Sequence, residues 1–257
     1  MPLIEGLRLE APAGLQLPGR DPIAEPTVIR FEYISDEVLE KAGLIGQDTT
    51  QHLSPVFKSQ IIDRPWLDVV RSNQQKPDGL FLAATNEDGT CFLGMCRVRE
   101  EADARTPWPH CDKGWIAMHP AARDQRVSKW LRLARQHVLF DRPELNSFTE
   151  EPLALFTSIR KENDASLSGA ANDGAEFIGA YDTIELTDGK EEKVTRHAFV
   201  TPHPRKLEAY KRAAVKAGVI DLRARDATGL TFEERLHRRA KQNQELLDIA
   251  SAIIHFT

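Results

Sequence analysis

The chain has 257 residues, enough for one large domain or a domain with an extension. Its 41% hydrophobic and 28% charged content is that of a soluble globular protein, and no apolar run approaches the length that spans a membrane. Net charge is −5 but uneven: residues 203–241 carry 11 Lys/Arg against 5 Asp/Glu, a balance of +6, which leaves −11 elsewhere.

The three cysteines, Cys91, Cys96 and Cys111, contain no CxxC spacing. They point to neither a disulfide framework nor a zinc site, so no metal is expected. The N-terminus lacks a basic segment followed by an apolar core, so no secretory signal is expected and the default setting is cytoplasmic.

In chain order, residues 1–25 are punctuated by Pro2, Pro12, Gly14, Pro18, Gly19 and Pro22 and read as an extended arm. Residues 27–35 alternate β-branched and aromatic side chains and predict a strand. Asp36 is placed to cap a short helix through about Lys41, and 54–72 predict a helix broken at Pro65. Residues 79–85 and 90–99 predict a hairpin around the turn Asn86-Glu87-Asp88-Gly89, with Gly89 suited to a positive φ. A polar loop over 100–113 contains Pro107 and Pro109.

The stretch 114–140 reads as strand, tight turn and helix. Trp115, Ile116, Ala117 and Met118 form the strand, and Pro120 ends it. From about Gln125, apolar Val127, Leu131, Ala134 and Val138 mark one helix face, and Arg123, Arg126, Lys129, Arg132 and Arg135 occupy much of the rest. Such a helix start is a candidate anion site, and an ordinary β-turn-α unit with a solvated basic face has the same pattern. Beyond Pro143, strands are expected at 153–159, 175–186 and 194–200. A short helix lies between the first two, and a turn at Asp188-Gly189 separates the last two.

The pattern Pro120-x-x-Arg123-x-x-x-Val127-x-x-x-Leu131 after a strand resembles the coenzyme A loop of the GNAT superfamily of N-acyltransferases. Asn163-x-x-Ser166-Leu167, followed by Gly174 and Phe177, is similar to a second segment of that family. The resemblance covers about residues 26–201 and implies an α/β fold with a mixed, mainly antiparallel central sheet flanked by helices. It also implies transfer of an acyl group, from acetyl-CoA or another acyl-CoA, to a primary amine on a small molecule or peptide.

On that resemblance, the backbone of Asp124, Gln125, Arg126, Val127 and Ser128, with Arg123, would hold the CoA pyrophosphate. The amide of Met118 would face the thioester carbonyl, and Asn163 would reach the pantetheine arm or cap its own helix. Asp112 and Glu100 are candidate bases, with Glu101, His110 and His119 nearby; each has an ordinary solvated or packed reading as well. Two departures stand out. Arg126 and Ser128 occupy the positions of the family's two loop glycines, and Ala171 and Asn172 stand where a tyrosine acid is frequent. Tyr181 is a substitute only if its strand carries it into the site. A catalytically inactive GNAT-like binding or assembly protein is therefore the alternative, and an acyl-homoserine-lactone-type synthase a third reading.

Residues 202–257 fall outside the resemblance and read as a basic helical extension. Pro204 opens a helix whose Leu207, Tyr210, Ala214 and Ala217 share a face, with Gly218 as its cap. Thr231-Phe232-Glu233-Glu234 is a capping-box sequence for a helix with Leu236, Ala240, Leu247, Ala250 and Ile254 in a stripe. The basic balance has three readings: a solvated face, contact with an acidic protein surface including a second copy in a homo-oligomer, or nucleic acid such as tRNA.

Overall fold

The computed structural model describes residues 7–17, 21–33, 79–100, 111–112, 116–118, 122, 125–145, 148, 150–187, 190–216 and 221–256. The expected helices at 36–41 and 54–72 lie outside the described residues, as do the loop at 101–110, the turn Asp188-Gly189, Ala217 and Gly218. The strands are β1 (Leu7–Ala11), β2 (Thr27–Tyr33), β3 (Gly79–Asn86), β4 (Phe92–Glu100), β5 (Cys111–Asp112), β6 (Ile116–Met118), β7 (Ala154–Arg160), β8 (Glu176–Thr187), β9 (Lys190–Pro202) and β10 (Ile254–Phe256). The helices are α1 (Val127–Phe140), α2 (Asp164–Asn172), α3 (Leu207–Lys216) and α4 (Phe232–Ile253). The chain forms two compact units, one of residues 1–98, 114–149 and 249–257, the other of 99–113 and 150–248.

In the first unit the strand order is β10-β1-β2-β3-β4, with β6 on β4. β1 corrects the reading of residues 1–25 as an arm throughout. Leu7, Leu9 and Ala11 are buried, Arg8 and Glu10 are not, and the strand pairs antiparallel with both β2 and β10. Its five-residue alternation is a strand pattern hidden among prolines and glycines. The β3–β4 turn forms as expected: the Gly89 N–H donates to the Asn86 carbonyl at 3.0 Å, with Gly89 at φ 74°.

α1 packs on β3 and β6. Its expected basic face is not solvated along its length. Lys129 is exposed, but Arg135, Gln136 and His137 are buried together with the apolar residues from Val127 to Phe140. A helix buried on nearly every side belongs to the core rather than to a surface.

In the second unit the order is β5-β7-β9-β8, with β5 parallel to β7 and the other pairs antiparallel. α2 packs on one face through Ala170 and Leu167 against Ile159 and Phe199. α3 and α4 join Ala154 and Val200 in a second cluster through Leu207, Tyr210, Ala214, Phe232, Leu236 and Ala240. The surface these helices cover is therefore their own unit's sheet.

The capping box is present: the Thr231 N–H donates to Glu234 Oε2 at 2.6 Å, and the Glu234 N–H to Thr231 Oγ1 at 3.1 Å. The basic balance of 203–241 is partly met within the unit. Arg235 and Arg239 flank the buried Glu176 at 2.6 and 3.2 Å. Lys206 lies on Glu151 at 2.5 Å; Lys211 lies between Glu208 and Glu233 at 2.7 and 2.6 Å, two acids of the same stretch that are already counted in its balance.

Buried Asn243 of α4 donates to the carbonyls of Pro202 and Gly174 at 3.0 and 3.4 Å. Gly174 sits at φ +69°, and a Cβ there would lie 2.0 Å from Asn243 Oδ1. Gly174→Ala therefore combines a left-handed penalty with a collision, and should destabilise by on the order of 3 kcal/mol in denaturant unfolding.

His203 is fully buried, donates from Nε2 to Glu151 at 3.0 Å and accepts at Nδ1 from the Arg205 N–H. Burial pushes its pKa down to about 4, against the pull of Glu151. The unfolded chain takes up this proton near pH 6.5 and the folded chain only near 4. The contribution is thus complete above 6.5 and is lost as pH falls toward 4, by at most about 3 kcal/mol. Unfolding midpoints measured from pH 7.5 to 4 should fall across that window; a flat profile contradicts the neutral buried ring.

Candidate functional site

Short strand β6 carries the chain to the start of α1. Met118, its last residue, is half-buried and pairs with Gly94 of β4. Among the described residues β6 pairs with β4 alone. Ala122 is buried, and the chain then turns through Gln125 and Arg126 into the helix. Arg123, Asp124 and His119 lie outside the described residues.

Arg126 is the N-cap of α1 at φ 66°, ψ −2°, the one non-glycine among the described residues with positive φ. The first ladder bond runs from the Trp130 N–H to the Arg126 carbonyl at 3.0 Å. The amides of Val127, Ser128 and Lys129 therefore precede the helix's own hydrogen-bond ladder. No side chain caps them from position 126, and no acid stands in the first turn. The positive end of a 14-residue helix is thus left without a carboxylate of its own first turn, and the side chains of Arg126 and Lys129 beside it are exposed. Chemically, this arrangement suits an anion.

The two departures at the loop glycines resolve differently. Position 126 adopts the left-handed conformation that glycine takes without strain, at a cost of roughly 1–2 kcal/mol for a residue with a Cβ. Ser128 lies inside α1, where no positive φ is required. Val127 is fully buried and anchors the turn, and Gln125 Oε1 accepts a hydrogen bond from the backbone N–H of Gln16. Nothing in the sequence signals that last contact across 109 residues.

The two candidate bases fall at neighbouring register positions, Glu100 opposite Cys111 and Asp112 opposite Arg99. Their side chains, like all of Glu101 and His110, lie outside the described residues. In the second unit Asn163 is the N-cap of α2, its Oδ1 accepting the Ser166 N–H at 3.1 Å. Ala171 and Asn172 are exposed in the last turn of α2. Tyr181 meets Ser158 Oγ at 2.6 Å, and Arg196 Nη1 lies 3.1 Å from the Ser158 carbonyl. Arg196 and Arg160 both bind Glu185. Partial burial pushes the Glu185 carboxyl up, but the two arginines hold it below the usual range.

A His137–Asp141–Ser251 grouping is not a nucleophile relay. Asp141 and Ser251 both approach Nδ1, at 3.1 and 3.5 Å, whereas a relay uses one ring nitrogen for each partner. Among the described residues no group of three or more His, Cys, Asp or Glu is placed to hold a metal, and no helix is long and apolar enough to cross a membrane.

No family model and no curated protein matches the chain. Among solved structures it is similar to a GCN5-related N-acetyltransferase from Brucella melitensis, at 15% identity, covering 95% of this chain and 98% of that one, with a TM-score of 0.48. It is also similar to a probable acetyltransferase from Staphylococcus epidermidis, at 9% identity, 68% and 98% coverage and a TM-score of 0.49. A third is the spermidine N-acetyltransferase of Vibrio cholerae in complex with CoA and spermine, at 9% identity, 67% and 95% coverage and a TM-score of 0.47. With scores below 0.5 and identities this low, function is left to be argued from the chain's own loop and strands.

Arg126→Gly should stabilise the protein by up to about 1 kcal/mol, the relief of left-handed strain less the extra chain entropy of glycine. Arg126→Ala keeps the strain and should be near neutral. Equal denaturant midpoints for the two variants would contradict a left-handed residue at 126.

Proposed function

We propose that the chain is an acyl-CoA-dependent N-acyltransferase, transferring an acetyl or other short acyl group to a primary amine. The observation that carries this reading is the β6–turn–α1 start, with three amides outside the helix ladder, no acid in the first turn and a left-handed residue at 126. Its amides and the side chains of Arg123 and Arg126 would bind the pyrophosphate of CoA. CoA supplies the acyl group as a thioester.

The chain's part is to hold that carbonyl beside the Met118 amide, which would donate to the oxygen as negative charge develops. The neutral amine nitrogen attacks the carbonyl carbon, a C–N bond forms, the C–S bond breaks and the thiolate leaves. A base takes the proton lost by the amine; Asp112 and Glu100 are the candidates, directly or through water. Much of the acceleration would come from positioning the two reactants.

Calorimetric titration of acetyl-CoA tests the reading. The wild-type chain should bind at micromolar concentration, and the Arg123→Ala, Arg126→Ala double variant about 10-fold or more weakly, as expected for lost charge-assisted contacts. With an amine substrate in hand, Asp112→Asn or Glu100→Gln should lower kcat by on the order of 100-fold, whichever is the base. A wild-type chain that binds neither acetyl-CoA nor a longer acyl-CoA overturns the proposal.

A further inference from the structure

The N-terminal segment makes a contact for which the proposed reaction has no evident need. After β1 the chain turns at Gly14, whose N–H donates to the Ile23 carbonyl at 2.7 Å, while the Ile23 N–H donates to the Leu15 carbonyl at 3.0 Å. Leu15 and Leu17 are buried, so the segment between them is held from both sides. Between them, the Gln16 N–H points to Gln125 Oε1. Gln125 immediately precedes the left-handed Arg126, and Val127 after it is fully buried.

A strained turn persists only where its surroundings hold it. Here the helix side is held by the burial of Val127, and the strand side by this contact. We propose that Gln125 is a positioning residue: residues 14–17 brace the 125–126 turn through the Gln16–Gln125 hydrogen bond, and the brace sets how tightly the turn binds the phosphates of the acyl donor. The inference rests on the acyl-CoA reading above. It adds that the N-terminal segment is part of the donor site, although no side chain of that segment need touch the donor.

The donor in this bond is a backbone amide, which makes the test selective. Gln16→Pro removes the N–H, Gln16→Ala keeps it, and Gln125→Met removes the acceptor at similar size. CoA affinity is measured by calorimetry for the three single variants and for the Gln16→Pro, Gln125→Met double variant. Amide exchange at 126–129 is followed in each.

Gln16→Pro and Gln125→Met should each weaken CoA binding about 3- to 10-fold, the range for one hydrogen bond, and speed exchange at 126–129. The double variant should be no weaker than the weaker single, and Gln16→Ala should match wild type. Affinities equal to wild type, effects that multiply in the double variant, or a Gln16→Ala as weak as Gln16→Pro would each overturn the brace. If the wild-type chain binds no CoA, the acyl-CoA reading falls instead. Exchange then still decides: acceleration at 126–129 in Gln16→Pro and Gln125→Met alone retains the brace as a structural contact, and unchanged exchange removes it.

Discussion

Burial of α1 on nearly every side decides where that helix begins. A helix with one greasy stripe can shift or fray at its first turn with small loss, because the other faces are already in water. α1 buries Val127 in its first turn and continues through Trp130, Leu131 and the run from Leu133 to Phe140. Sliding the helix by one residue against its surroundings would rotate this set by about 100° and expose or overpack much of it. The chain therefore has to enter the helix at position 126, whatever residue stands there. Arginine takes the left-handed conformation because the packing that follows outweighs a strain of roughly 1–2 kcal/mol.

The second unit shows the same dependence of a backbone feature on a helix packed nearby. Asn243 sits on the buried stripe of α4 and uses its amide to bond the carbonyls of Pro202, the last residue of β9, and of Gly174, in the turn after α2. That approach leaves no room for a Cβ at 174. The glycine that resembles a family motif in the sequence thus has a local cause in this fold: a left-handed turn after α2 and a polar side chain pressed against it. Part of the basic balance of 203–241 has a local cause as well. Arg235, Arg239 and Lys206 neutralise carboxylates from elsewhere in their own unit, including the buried Glu176, which would be costly to desolvate alone.

What the sequence made legible was set by local patterns. The β3–β4 hairpin carries its own turn chemistry, α4 its capping box and stripe, and α2 its Asn163 cap, so each could be read without knowing its neighbours. β1 was missed because five alternating residues are too few to stand out beside Pro12, Gly14 and Pro18. Its partners β2 and β10 supply the bonds that make it a strand. Arg135 belongs to the basic set that a solvated face would hold, but it is buried, because charge pattern alone does not assign exposure and α1 is packed on most of its sides. The position of the candidate turn was legible from Pro120, Arg123 and Val127. Its conformation was not, since an arginine argues against positive φ and only tertiary packing overrides that preference.

An arginine at a glycine-like position separates two properties that glycine would combine. Glycine would offer the same backbone turn without strain and let a ligand approach the amides with nothing in the way, but it would carry no charge. Arginine keeps the turn, adds a permanent cation at the mouth of the helix dipole and places an exposed side chain there. The outcome for an anion depends on how firmly the turn is held. A loose turn would relax the strained residue toward negative φ and scatter the three amides that precede the ladder. A braced one keeps the three amides at the start of the helix in place. Under the proposed reading, the strength of anion binding at this loop would be tied to contacts on both sides of residue 126, the packed Val127 and the amide of Gln16, as well as to the charges beside the helix start.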